Sequence, residues 1–337
     1  MFDISTLDKF DSHKTYAVYD KWPKIARESF QSNQSSINFD NIEHIVFAGM
    51  GGSGAIGDMF ASILSKTKIH VNVVKGYLLP KTVDSNTLVI VISVSGNTVE
   101  TLSVLKSAHK LGSKIIAFSS GNKMQEYCRK NKIEHRIIQQ YHSPRASFTS
   151  FLYTILNVLH STLKIKQQDI LESIIELENL SKKINSLNLT NENPALSLSQ
   201  WLNNIPVIYY PFGLQSAAIR FKNSLQENAK MHVITEDVIE VCHNGIVSWE
   251  KPSDVKPILI QGVDDYNKTK ERFDILMEYF ELNSIEYKKI NSVKGSILTK
   301  LINLIYFLDY TSIYKAILLE TDPTPVKSIE FIKKRTT

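Results

Sequence analysis

Apolar residues in the first half of the chain fall into short unbroken runs separated by stretches of helical period. Ile45-Val46-Phe47-Ala48 and Leu88-Val89-Ile90-Val91-Ile92 are too short for typical helices. The second run is rich in β-branched side chains, and both predict buried parallel strands. His70 to Val74, Lys114 to Phe118 and His135 to Ile138 supply three more. Helical patterns alternate with them at Ala55 to Leu64, from Asn97 or Thr98 onward with Glu100 in the first turn, at Lys123 to Lys130 and at Phe148 to Leu163. Phe2 to about Ser32 also shows helical spacing, in one or two helices expected to cover this sheet. Such a βαβ series requires right-handed crossovers and helices on both faces, so it predicts a five-stranded αβα sandwich.

A polar helical stretch, Lys164 to about Leu189, follows, with Pro194 soon after. The domain boundary is placed at its start, giving domains 1–163 and 164–337. Val207 to Gly213 then leads into Leu214-Gln215-Ser216-Ala217-Ala218-Ile219-Arg220, an echo of Val46 to Gly49 leading into Gly52-Ser53-Gly54-Ala55-Ile56. The echo implies a duplicated domain. Strands at Pro257 to Gly262 and Glu286 to Ile290, with helices at Asn267 to Glu281 and Ser296 to Leu319, complete a second αβα unit. The last helix is apolar but carries Lys300, Asp309 and Lys315, so it reads as a core-facing amphipathic helix and not a membrane span.

The stretch from Ile45 to Gly57 runs from buried strand through a glycine-rich turn to a helix start. Backbone N–H groups of such a turn lie open at the positive end of the helix, which makes an anion site suited to phosphate. Gly49, Gly51 and Gly54 also satisfy the G-x-G-x-x-G pattern of dinucleotide-binding proteins. That reading is rejected, because the second strand ends in Lys75-Gly76 where a ribose-binding carboxylate would stand. A second, hydroxyl-rich turn, Ser93-Val94-Ser95-Gly96-Asn97-Thr98, follows the Leu88 strand. The glycine cradle is not repeated in full after Val207, so one phosphate site per chain is expected.

Composition narrows the class. The 337 residues, 43% hydrophobic and 22% charged, suit two globular domains. Cys128 and Cys242 lie far apart with no C-x-x-C and no His at ligand spacing, so neither a disulfide framework nor a metal site is indicated. The net charge of +5 is mild and its basic residues are scattered, which argues against nucleic acid. No stretch approaches about 18 uninterrupted apolar residues and no leader is evident at Met1-Phe2-Asp3-Ile4, so a cytoplasmic protein is expected.

Together these features resemble the sugar isomerase (SIS) domain family, whose members bind phosphorylated sugars in αβα sandwiches without a nucleotide, and the Ser93-to-Thr98 loop resembles its phosphate-binding signature. More narrowly, the chain resembles the bifunctional phosphoglucose/phosphomannose isomerases. It carries, in that family's order, Pro144-Arg145-Ala146, Glu227-Asn228-Ala229-Lys230, Glu240-Val241-Cys242-His243-Asn244 and Asp322-Pro323-Thr324-Pro325-Val326. Two departures stand out: Gly245 replaces the acidic residue usual after His-Asn, and Leu225-Gln226 replaces a common Phe-Asn pair.

The resemblance implies two SIS domains with mainly five-stranded parallel sheets, no cofactor or metal, and aldose–ketose isomerisation of hexose 6-phosphates through a cis-enediol. Glu227 corresponds to the base and Arg145 to the arginine that stabilises the enediolate. His243 corresponds to a ring-opening histidine given to the neighbouring subunit's site, which implies a homodimer. Lys333 corresponds to the C-terminal proton-moving lysine, with Lys334 as its competitor. Gly51, Gly52 and Ser53 are expected near the sugar and phosphate, and Ser93, Ser95 and Thr98 at the phosphate. Thr324 is a candidate for tolerance of both C2 epimers.

By residue type alone each has an ordinary reading: a helix-end carboxylate for Glu227, a surface ion pair for Arg145, a surface or core hydrogen bond for His243, a basic tail for Lys333, helix capping for Ser93 to Thr98. Cys242 is set aside as a partner of His243, because neighbours on an extended segment point to opposite faces. Three rivals remain: a non-catalytic sugar-phosphate sensor, against which no helix-turn-helix precedes Ile45; another phosphosugar isomerase or amino-sugar enzyme of the superfamily; and, by activity name only, a metal-dependent mannose isomerase, for which the sequence offers no zinc-ligand spacing.

Overall fold

The computed structural model of the chain describes residues 2–336. In chain order, helices α1 (Ile4–Phe10), α2 (Thr15–Asp20) and α3 (Trp22–Phe30) precede β1 (His44–Ala48), α4 (Gly52–Leu64), β2 (His70–Val74) and β3 (Leu88–Ser93). Next come α5 (Val99–Lys110), β4 (Lys114–Ser119), α6 (Asn122–Lys130), β5 (Glu134–Ile137), α7 (Phe148–Leu159), α8 (Gln167–Ile184) and α9 (Pro194–Trp201). The remainder holds β6 (Ile205–Tyr210), α10 (Gln215–Asn228), β7 (Ile234–Asp237), α11 (Val238–Val241), β8 (Val255–Gln261), α12 (Asn267–Leu282), β9 (Lys288–Asn291), α13 (Ile297–Leu318) and α14 (Lys327–Lys333).

These elements form two compact units. The first comprises Lys21–Ile174 with residues 326–336, the second residues 2–20 with Ile175–Pro325. This differs from the segmentation expected at 163/164, because the termini change places and α8 runs across the division. Of residues 2–32, expected to form one or two helices over the first sheet, α1 and α2 group with the second unit, and only the part from Lys21 onward, with α3, belongs to the first.

In the first unit five parallel strands lie in the order β2-β1-β3-β4-β5. The two apolar runs occupy the middle, and every residue of β3 is buried. Each such Val, Leu or Ile contributes about 1.5–3 kcal/mol of transfer free energy. Because the order reverses between β1 and β3, their carboxyl ends bound the crevice where ligands bind in open α/β sheets.

The second unit holds a four-stranded parallel sheet, β7-β6-β8-β9, among the described residues, not the five strands expected. The expected fifth strand had no sequence signal of its own, and the edge strand β7, Ile-Thr-Glu-Asp, has no apolar run to announce it. Helix α13 also differs from expectation. It is buried from Leu298 to Ile317 except at Phe307, so Lys300, Asp309 and Lys315 lie in the interior and not on a solvated face. Burial pulls the Lys315 ammonium below its usual pKa, Lys300 pairs with Asp264, and Asp309 with Arg220.

Residues 2–20 are stitched to α13 by a tyrosine ladder. Tyr306, Tyr310 and Tyr314 stand at four-residue spacing; Tyr306 donates to the Tyr19 carbonyl at 2.8 Å, and Tyr310 to the Tyr16 carbonyl at 3.2 Å and to Asp20. Asp20 also accepts the Ser186 N–H at 3.0 Å and its hydroxyl at 2.6 Å. Asp20→Ala leaves these donors without their acceptor and is expected to cost about 1–3 kcal/mol. Thermal unfolding checks this, and an unchanged midpoint would show that Asp20 does not hold the N-terminal helices.

Candidate functional site

Strand β1 delivers the chain to Gly49, Gly51 takes φ +52°, and α4 begins at Gly52. A Cβ on Gly52 would lie 3.3 Å from the Pro144 carbonyl and 3.4 Å from the Arg145 Cα. The missing side chain is what lets the Pro144-Arg145-Ala146 loop close on the start of α4. That loop is held by Trp22, whose Nε1 donates to the Ala146 carbonyl at 2.9 Å, and by Ser147, whose hydroxyl donates to Tyr141 and Ser143 carbonyls at 2.9 Å each. Arg145 is 5% exposed, so it is a buried cation and not a surface ion pair.

Strand β3 delivers the hydroxyl loop beside it. Ser53, itself buried, accepts the Val94 N–H at 3.3 Å and so ties the two turns together. Within the loop Ser93 donates to Thr98 Oγ1 at 3.0 Å and accepts the Gly96 N–H at 3.1 Å, and Ser95 accepts the Asn97 N–H at 3.3 Å. Thr98 is the N-cap of α5 yet makes no side-chain capping bond. Gly51, at the same place on α4, has no side chain to cap with. The N-termini of α4 and α5 thus lie at one end of the sheet, where the positive end of each helix favours an anion.

A shelf beneath this loop had no signal in the sequence beyond the Ser119-Ser120-Gly121-Asn122 cluster after β4. Gly96 takes φ +66°, and a Cβ there would lie 2.0 Å from the Gly121 carbonyl oxygen. Gly121 is held by Ser119, which donates to its carbonyl and accepts its N–H at 3.1 Å each, and Ser119 meets His135 Nε2 at 2.8 Å. Burial, and then the charge of Arg136, lowers the His135 pKa. The Met124 N–H on the Gly96 carbonyl (2.9 Å) and Asn122 Nδ2 on the Ser95 carbonyl (2.9 Å) complete the shelf.

Lys75 stands where a dinucleotide fold needs a carboxylate. Its ammonium lies 2.5 Å from Asp58 on α4. Burial raises the Asp58 pKa, and Lys75 opposes that shift.

The remaining expected site residues are distributed over both units. Glu227 lies half-buried in the last turn of α10. Just beyond it Lys230 donates to the carbonyls of Glu227 and of Pro325, the latter at 2.9 Å, so the Asp322-to-Pro325 loop folds onto the end of this helix. In that loop Thr324 Oγ1 meets Thr15 Oγ1 at 2.9 Å, and Asp322 accepts the Ser12 hydroxyl at 2.6 Å.

His243 is exposed in the turn after α11, a helix capped by the Asp237 carboxylate at 2.8 Å from the Ile239 N–H. Cys242 is the C-cap of that helix, so the extended geometry used to set it apart from His243 does not hold. A Cβ at Gly245 would lie 2.4 Å from Val241 Cγ2 and 2.8 Å from Glu236 Oε2. The glycine there is accounted for: a carboxylate already fills the space a side chain would enter. Lys333 and Lys334 end α14, a helix with no buried residue in the first unit.

The first unit therefore brings Gly51, Gly52, Ser53, Ser93, Ser95, Thr98 and the main chain of Arg145 to one place, while Glu227 and His243 belong to the second unit. There the turn after β8 reads Gly262-Val263-Asp264-Asp265, and Asp265 accepts the Gly262 N–H at 2.7 Å. Two carboxylates in place of hydroxyls disfavour an anion. Gly96→Ala imposes strain of about 1–3 kcal/mol on the hydroxyl loop and is expected to weaken inorganic phosphate binding about tenfold. Titration calorimetry checks this, with Gly76→Ala, whose Cβ meets nothing within 4 Å, as the control.

Among the described residues no helix is long and apolar enough to cross a membrane. Residues 39–164 match the SIS domain family, and residues 191–336 match the family described as the bacterial phospho-glucose isomerase C-terminal SIS domain. The chain is 33% identical over 310 residues to a bifunctional phosphoglucose/phosphomannose isomerase of Caldicellulosiruptor bescii, covering 89% of this chain and 91% of that one. A protein of the same description from Aquifex aeolicus is 32% identical, covering 86% and 89%. Among solved structures, the hypothetical protein TT0462 of Thermus thermophilus superposes with a TM-score of 0.76 at 13% identity over 98% of this chain and 92% of that one, a likeness of fold. With identity of this level across nearly its whole length, and an SIS domain in each half, the chain belongs to the bifunctional phosphoglucose/phosphomannose isomerase family.

Proposed function

We propose that this chain is a phosphosugar isomerase that interconverts glucose 6-phosphate, and also mannose 6-phosphate, with fructose 6-phosphate. The observation that carries the reading is the joined pair of turns after β1 and β3. Uncapped helix ends, buried hydroxyls and the loop of a buried arginine converge there, within a chain similar over 89% of its length to a relative described by these two activities.

In this reading Ser93, Ser95 and Thr98 hold the phosphate with hydroxyl and backbone donors, and Gly51, Gly52 and Ser53 lie beside the sugar hydroxyls and phosphate. Glu227 removes the proton from C2 of the open-chain aldose, the electron pair moves toward the carbonyl, and a cis-enediolate forms. The Arg145 guanidinium stabilises its negative charge, a proton passes from the C2 hydroxyl to the C1 oxygen, and Glu227 returns its proton to C1 to give the ketose. His243 and Lys333 move protons at the ring oxygen and the C1 hydroxyl during ring opening. Acceptance of both epimers asks only that the base reach C2 from either configuration after rotation about C2–C3, and Thr324, held at the end of the Glu227 helix, is the residue assigned to leave that room. The catalytic unit is a homodimer in which His243 serves the neighbouring subunit's site.

The test is to follow fructose 6-phosphate formation from each aldose in the presence of a chelator. Product from both is expected, and Glu227→Gln should keep binding while losing about 10²–10⁴ in turnover. Tight binding of the phosphosugars with no product would favour a sensor instead. Subunit exchange tests the dimer: Glu227→Gln and His243→Gln are each expected to be inactive alone and to regain activity when mixed and refolded together. Hybrids that stay inactive would place His243 in its own chain's site.

A further inference from the structure

Helix α10 turns a polar stripe toward α13. Arg220, Ser224 and Asn228, at four-residue spacing, are 3%, 3% and 0% exposed. Asp309, with no exposed surface, accepts Arg220 Nε at 3.1 Å, Arg220 Nη2 at 2.7 Å, the Ser224 hydroxyl at 2.5 Å and the Tyr19 hydroxyl at 3.2 Å. Asn228 Nδ2 donates to Ser312 Oγ at 2.8 Å, and that hydroxyl donates to the Asp309 carbonyl at 2.6 Å.

A buried ion pair of this kind adds little net stability. The cost of removing both charges from water offsets most of their attraction, and apolar residues of similar volume often pack as well or better. What the polar seam supplies is register. Its directional bonds admit one rotation and one height of α10 against α13, whereas an apolar seam can repack or slide.

Glu227 follows Arg220 by seven residues, two turns along the helix and about 20° around it. It also adjoins Asn228, the last member of the seam. We propose that Asp309, Arg220, Ser224 and Asn228 are positioning residues that aim the Glu227 carboxylate at the substrate carbon, with Asp309 as the group on which the seam converges. The inference rests on reading Glu227 as the base. None of the four touches substrate; they act by fixing the helix that carries it.

The decisive variant is Arg220→Met combined with Asp309→Leu, which replaces the ion pair with apolar bulk. The thermal midpoint should hold, KM for fructose 6-phosphate should move less than about threefold, and kcat should fall about tenfold to a hundredfold, the scale of an ångström's misplacement of a reacting group. A folded double variant with wild-type kcat would overturn the proposal. Should that protein not fold, Ser224→Ala decides: it deletes one seam hydroxyl, leaves the ion pair, and should lower kcat with KM unchanged, while unchanged kcat would count against the seam. Glu227→Gln measured alongside separates the two levels of the argument. If it keeps turnover, the reading of Glu227 as base fails and this inference with it. If it loses turnover while the seam variants keep theirs, only the positioning role fails.

Discussion

Strands β1 and β3 end side by side, and the sheet order reverses between them. From this constraint the rest of the first unit follows. A right-handed crossover carries the chain after β1 to one face of the sheet and the chain after β3 to the other, so the two turns must part and leave a crevice. Neither α4 nor α5 is capped by the side chain of its N-cap residue. The Thr98 hydroxyl is engaged with Ser93, and Gly51 has none. The instability of open helix ends is offset by making everything behind them rigid: Ser53 against Val94, Gly52 against Pro144 and Arg145, Gly96 against Gly121.

The second unit repeats the strand-turn-helix plan and uses it differently. Carboxylates replace hydroxyls after β8, and the buried polar groups gather in the seam between α10 and α13. An interior helix that carries Asp309 has to satisfy it completely, because a stranded buried carboxylate costs several kcal/mol. Arg220, Ser224 and Tyr19 do so from two different segments. The same helix receives residues 2–20 through its tyrosines, so α13 is the element around which this unit is assembled.

Exchange of the termini has a simple physical origin. Helices α1 and α2 are too short to be stable alone, and the face available to them is the one lined by Tyr306, Tyr310 and Tyr314. The C-terminal residues 326–336 likewise belong with the first unit although α13 immediately precedes them. The Asp322-to-Pro325 loop that carries the chain out is anchored by Lys230, Ser12 and Thr15.

Periodicity and composition by themselves determined the strands of the first sheet, its main helices, the duplication, and the glycine-rich and hydroxyl-rich turns that follow β1 and β3. These are local properties: a run of β-branched residues, a glycine at a positive φ and a hydroxyl-rich loop before a helix keep their meaning whatever surrounds them. What the tertiary structure alone decided depends on partners distant in the chain. The weak edge strand β7, the burial of Arg145, the satisfaction of Asp309 by Arg220, the shelf of Gly121 under Gly96 and the placement of the termini were of this kind. Each is a contact between segments whose separate patterns carry no trace of the other, because the free energy that selects it, burial of a charge or close approach of two backbones, exists only once both are in place.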